Sequence, residues 1–186
     1  MAATAPRVAT YEDLAALPEN VIGEIIHGAL ITQPRPASPH ARAATTITGD
    51  LTGPFDRGRG GPGGWLILFE PELHLDRHVL VPDIAGWRRT RMPEMPDVAG
   101  FTLAPDWICE VISPGTAKVD RADKMPLYAS FGVGHAWLVD PLARMLEAFE
   151  LVDGRWTLMS VHGDDAVARI APFDAIELAL ADLWRR

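Results

Sequence analysis

Asp106-Trp107-Ile108-Cys109-Glu110-Val111-Ile112-Ser113-Pro114 is an apolar, β-rich run with a single carboxylate set inside it. Turn-forming residues bound it, so it reads as a strand buried on both faces. A lone acid in such a strand is costly unless it is paired or binds a cation. The pattern repeats upstream in Val79-Leu80-Val81-Pro82-Asp83-Ile84-Ala85-Gly86-Trp87, where Asp83 interrupts another apolar run. Downstream, Val119 to Phe131 reads as a helix carrying Asp120, Asp123 and Lys124, with Pro126 expected to kink it or end its first segment. His135 to Val139 follows as a further strand, stopped by Asp140-Pro141. Strand, helix and strand make a βαβ unit with parallel neighbours and a right-handed crossover.

The flanks extend this into one α/β domain over residues 10–186, with residues 1–9 expected as a disordered lead. Thr10 and Asp13 have capping-box spacing before a short helix that Pro18 ends. Val21 to Ile31 reads as an N-terminal β-hairpin, with Gly28 supplying the positive φ of its turn. A proline-rich link from Pro34 to Pro39 leads into a helix over about His40 to Leu51, expected to be capped by Ser38 and to bury Ala43, Ala44, Ile47 and Leu51. Gly58 to Gly64 is a glycine-rich loop without the Gly-Lys-Ser/Thr of a P-loop. Trp65 to Phe69 begins the sheet, and Leu73 to Leu75 and Val79 to Trp87 are expected to continue it. Residues 90–105 read as a surface loop. Met145 to Leu151 and Trp156 to Val161 form a second hairpin around Asp153-Gly154. Ala166 to Ile170 is expected to add a strand, and Phe173 to Trp184 to mix strand and short helix.

Composition bounds the function. No apolar run approaches the length of a membrane span, and the first ten residues lack a signal peptide's apolar stretch. The single cysteine, Cys109, excludes an internal disulfide framework and fits a reducing, cytoplasmic setting; inside its strand it reads as a small core residue. Neither CxxC nor HExxH is present, which removes a structural zinc site and a zincin. A net charge of −8 argues against a broadly basic nucleic-acid binder, although acids gathered at a metal site are neutralised by the cations they hold. Arg88, Arg89 and Arg91 form a local basic run after the Asp83 strand, open to two readings: phosphate contacts or ordinary solvated arginines.

Two strand carboxylates and a nearby lysine are a set that holds Mg²⁺ against a phosphodiester. Asp83 and Glu110 would be the ligands, with a backbone carbonyl at Val111 or Ile112 as a third. Lys124 would orient the attacking water or stabilise the phosphate, and Glu24 would assist. His40 and the Ser113-Pro114-Gly115-Thr116 loop would face substrate. Plainer accounts exist for each: Asp83 capping a turn after Pro82, Glu110 pairing with an arginine, Lys124 forming a surface ion pair with Asp120, Glu24 facing solvent, and His40 lying on the surface. Ser113 has no partnered histidine, so a serine hydrolase is discounted.

Pro82-Asp83, Glu110 through Thr116, Asp120 with Lys124, Tyr128, Gly132-Val133 and Trp137 through Pro141, with Glu24, Gly28 and His40, together resemble the Uma-type restriction endonucleases of the PD-(D/E)xK nuclease superfamily. The resemblance implies a restriction-endonuclease-like core: a mixed central β-sheet flanked by helices. It also implies Mg²⁺ dependence, with Mn²⁺ as substitute, and phosphodiester hydrolysis in DNA. Asp83 takes the place of the first acid and Glu110 of the second. Ile112 stands where the superfamily lysine is expected, and Lys124 on the next helix takes that role. His27 and His135 depart from the family's usual acidic or polar residues. A homodimer is expected, because cutting two strands needs two sites. The rival is a catalytically silent module of the same fold that binds nucleic acid or a protein partner.

Overall fold

The computed structural model describes residues 7–18, 20–34 and 37–185. Of the expected lead, residues 1–6 lie outside these, as do residues 35 and 36 of the proline-rich link; Ala9 N–H bonds Gly28 O at 2.8 Å. Helix α1 (Tyr11–Ala15) starts at Thr10, whose N–H bonds the Asp13 carboxylate at 2.7 Å. Strands β1 (Val21–Ile26) and β2 (Ala29–Pro34) form the expected hairpin. Both turn residues have positive φ, His27 at 51° and Gly28 at 79°, as a two-residue type I′ connection requires.

Helix α2 spans Ser38–Leu51. Its N-cap is Ala37 rather than the expected Ser38, with no side-chain cap bond. Ser38 is instead already helical, and Pro39 occupies the first turn, where a missing N–H costs nothing. The expected apolar face is fully buried: Ala43, Ala44, Ile47 and Leu51.

Strands β3 (Trp65–Phe69), β4 (Leu73–Leu75), β5 (His78–Leu80), β6 (Ile84–Arg88) and β7 (Trp107–Val111) follow. The single strand expected over Val79 to Trp87 is broken at Val81-Pro82-Asp83. Pro82 has no N–H to give to a ladder, so the chain bends and changes sheets there. As a result, β4 and β5 do not extend the β3 sheet; they join the hairpin in a four-stranded sheet ordered β2-β1-β5-β4. Asp83 sits at the break, just before β6.

The helical stretch after β7 runs through α3 (Ala117–Val119), a wider π turn over Asp120–Lys124, and α4 (Met125–Ser130). The expected kink at Pro126 takes the form of that π turn. In a regular α-helix the proline ring would meet the Ala122 carbonyl; here the turn before it widens, and Met125 N–H bonds Asp120 O, five residues back. Strand β8 (His135–Asp140) pairs parallel with β7, completing the βαβ unit. Strands β9 (Met145–Val152) and β10 (Arg155–Gly163) form the second hairpin. The expected Ala166–Ile170 strand shrinks to β11 (Val167–Ala168), paired with β12 (Leu178–Ala179), and α5 (Ala181–Trp184) closes the described chain.

The central sheet has six strands in the order β10-β9-β8-β7-β6-β3, with β7–β8 parallel and its other pairs antiparallel. Strand alternation divides its two faces. Trp107, Cys109, Val111, Trp137 and Val139 pack with the apolar face of α2. Ile108, Ala136 and Leu138 pack with Met125, Leu127 and Tyr128 of α4. Glu110, of the same parity as Ile108, therefore belongs to the α4 face, which is how a carboxylate buried in the central strand finds a lysine. Among the described residues no helix is long and apolar enough to cross a membrane.

Candidate active site

The break at Pro82 and the ends of β7 and β1 open onto one cavity of about 350 Å³. Glu24, His40, Asp83, Glu110, Val111, Ser113 and Lys124 all line it. Sequence residues separated by as many as 100 positions thus meet in one place. Glu70, Asp120, Gln33 and Thr116 line it as well. A larger groove of about 1200 Å³, between the start of α2 and the C-terminal helix, contains Asp165 as its one acid and lacks any such convergence.

Lys124 organises the floor. Its Nζ lies 2.7 Å from Glu110 Oε1, 3.0 Å from Glu24 Oε1 and 3.3 Å from the Val81 carbonyl, with Asp120 Oδ1 at 3.8 Å. The plainer expectation of a surface pair with Asp120 fails: Lys124 is 2% exposed. Glu24, expected on one account to face solvent, is 1% exposed. Its carboxylate also accepts Val81 N–H at 2.8 Å and Gln33 Nε2 at 3.3 Å, so the hairpin is tied to the sheet break through this one side chain. Tyr128 OH donates to Glu110 Oε1 at 2.7 Å from the next helical turn.

Asp83 faces Glu110 from the neighbouring strand. Its Oδ2 accepts Val111 N–H at 2.7 Å, and its Oδ1 lies 3.1 Å from His40 Nε2. His40 is half-buried rather than on the surface, because the first turn of α2 leans over the sheet break. Ser113 and Thr116 close a small turn at the rim, with Ser113 N–H donating to Thr116 Oγ1 at 3.1 Å. Arg88 stands apart. It lies at the far end of β6 with its guanidinium 4.4 Å over the Trp65 ring, about 16 Å of strand from Asp83.

The electrostatics follow from crowding. Glu24, Glu70, Asp83, Glu110 and Asp120 share the cavity with Lys124 and His40, leaving acids in excess over bases. Burial raises Glu110 well above the usual carboxylate range against the pull of Lys124, with Asp120, Asp83 and Glu24 adding to the rise. Burial likewise raises Asp120. For Lys124, burial favours the neutral amine, but Glu110 and Glu24 outweigh it and hold the ammonium. For His40, burial is outweighed by its bond to Asp83, and its pKa rises.

This donor set fits a hard divalent cation. It offers carboxylate and carbonyl oxygens, more acids than bases and no cysteine among the lining residues. Among the described residues no group of three or more His, Cys, Asp or Glu side chains is placed to hold a metal ion by itself. Mg²⁺ needs fewer protein ligands, because it keeps several waters and takes one or two carboxylates.

Sequence reasoning missed Tyr128 and Glu70 as site residues. Tyr128 had a signal, since it lies four residues beyond Lys124 and so shares its helix face. Glu70 had none; it follows β3 at a φ of 45°, with its N–H bonded to Asp83 O at 2.9 Å.

Compared with known proteins, residues 8–181 match a family described as Uma2, "putative restriction endonuclease". Among solved structures, the chain is similar to one titled a putative nuclease belonging to DUF820, from Anabaena variabilis. The two are 23% identical with a TM-score of 0.75, over 95% of this chain and 97% of that one, a likeness of fold. No curated protein matches the sequence.

Proposed function

The chain belongs to the Uma2 putative restriction endonuclease family, and from that premise we propose that it is a metal-dependent endonuclease hydrolysing phosphodiester bonds of DNA. The observation that supports this reading is the convergence of Asp83, Glu110, Glu24 and Lys124 on one cavity.

Asp83, Glu110 and the Val111 carbonyl are the groups to hold Mg²⁺, or Mn²⁺ in its place. Bound there, such an ion supplies positive charge at the scissile phosphate and acidifies a coordinated water. Lys124 acts as a fixed ammonium rather than as a base, because its carboxylate neighbours keep it protonated. It stabilises negative charge growing on the phosphate, exchanging its hydrogen bond to Val81 O, 3.3 Å long, for substrate. Glu24 holds the ammonium in place. His40 orients Asp83, and Ser113 meets the phosphate at the rim. Arg88 is not assigned to the scissile group. A homodimer supplies the second site that a double-strand cut requires.

The test is cleavage of supercoiled plasmid with Mg²⁺, Mn²⁺ or EDTA by the wild type, Asp83→Ala and Glu110→Ala. Metal-dependent cutting lost in both variants is expected. Equal cutting by the variants sinks the assignment. Ile112 in the usual lysine position favours a second reading, a silent DNA-binding module, for which DNA retention without cleavage under either metal would speak.

A further inference from the structure

Glu110 is gripped from one side. Lys124 Nζ and Tyr128 OH, four residues apart on one helical face, each reach the same oxygen, Oε1, at 2.7 Å. Tyr128 is completely buried, and its hydroxyl serves Glu110. A phenylalanine would fill the same space without the cost of burying a hydroxyl, so packing does not explain the tyrosine. A carboxylate's terminal torsion is soft, whereas two donors fixed on one helix hold it still. Groups that orient a ligating carboxylate from behind change metal affinity by about 10–100-fold.

We propose that Tyr128 is a positioning residue for the metal site: with Lys124 it commits Oε1 of Glu110 to the protein and leaves Oε2 for the cation. This rests on the nuclease reading above and adds to it a residue that never touches substrate.

The experiment is Mn²⁺ binding by calorimetry to the full-length wild type, Tyr128→Phe and Leu127→Ala. The last perturbs the same helix without touching Glu110. A second readout uses the chain's having only two tyrosines. 3-Fluorotyrosine incorporated into a Tyr11→Phe background labels Tyr128 alone, and its ¹⁹F resonance is followed through a Mg²⁺ titration. The expected result is an affinity about tenfold lower in Tyr128→Phe, wild-type affinity in Leu127→Ala, and a ¹⁹F resonance that moves with Mg²⁺. Unchanged affinity in Tyr128→Phe, an equal loss in Leu127→Ala, or a motionless resonance overturns the proposal. If the wild type binds Mn²⁺ and cuts DNA while Tyr128→Phe binds equally well, this inference falls alone. If the wild type binds no Mn²⁺, it falls together with the metal-dependent reading.

Discussion

Lys124 shows what a single buried charge demands. An ammonium has three protons to donate, and here three acceptors stand within 3.3 Å: Glu110, Glu24 and the Val81 carbonyl. Bringing such an array out of water is expensive, and the mutual attraction offsets the expense only while every member is present. Replacing Lys124 with methionine keeps most of the volume and removes the charge. Glu24 and Glu110 are then left facing each other without a counter-ion, and one of them must take up a proton. The variant is expected to lose about 3–5 kcal/mol of stability in EDTA, measured by urea unfolding. Adding Glu110→Gln to Lys124→Met should return part of that loss, because it removes one of the stranded charges. A Lys124→Met protein as stable as the wild type would mean that the array is not the closed ionic unit its distances describe.

At the scale of elements, the site depends on connections more than on the strands themselves. Glu24 reaches Lys124 because the β1–β2 hairpin is closed by a turn with two positive φ values, and Gly28 sits at +79°. An alanine there must adopt the left-handed region, at a cost of about 1–2 kcal/mol. Its Cβ would also approach Val8 Cγ1 to 3.1 Å. Gly28→Ala is therefore expected to lower stability by about that amount in thermal unfolding. A neutral substitution would show that the turn takes another form. This hairpin was legible from the sequence, as were the βαβ unit, the buried face of α2 and the second hairpin, because each is written in local periodicity and turn chemistry. The change of sheet at Pro82 was not. The run from Val79 to Trp87 is apolar on both sides of Asp83, and only tertiary pairing of Ile25 with Val79 decides that its first half leaves for the other sheet. The burial of Glu24 and Lys124 was hidden for a related reason. Charge on a local pattern reads as solvent-facing, and its partners lie on elements far away in the chain. Asp83 and Glu110 stood out because an acid inside an apolar strand is anomalous by itself.

Across the whole molecule, the excess of acids at one cavity makes stability a function of pH. Glu110 and Asp120 have native pKa values above their ordinary 4.5 and 3.8. Above those values the unfolded chain has released protons that the native state still holds. The native state thus binds more protons, and its stability falls as pH rises through that window. His40, raised from 6.5, acts in the same direction: its contribution is complete below 6.5 and is lost as pH climbs through the native value. Lys124, raised from 10.5, is protonated in both states across this range and adds no slope. Asp13, lowered to about 2, works oppositely, but its contribution disappears only as pH drops below 3.8. His78 and His135, lowered from 6.5 chiefly by burial, act in the opposite sense below 6.5, so in EDTA the melting temperature is expected to decline as pH rises above 6.5. On the proposed metal-dependent reading a divalent cation would bind the deprotonated acids and reverse this trend. Its stabilisation, about 2.7 kcal/mol at a hundredfold excess over the dissociation constant, should grow with pH and vanish in Asp83→Ala. A melting temperature that rises with pH above 6.5 in EDTA would show that the acids are not held protonated against one another. A Mg²⁺ shift surviving in Asp83→Ala would place the cation away from the break at Pro82.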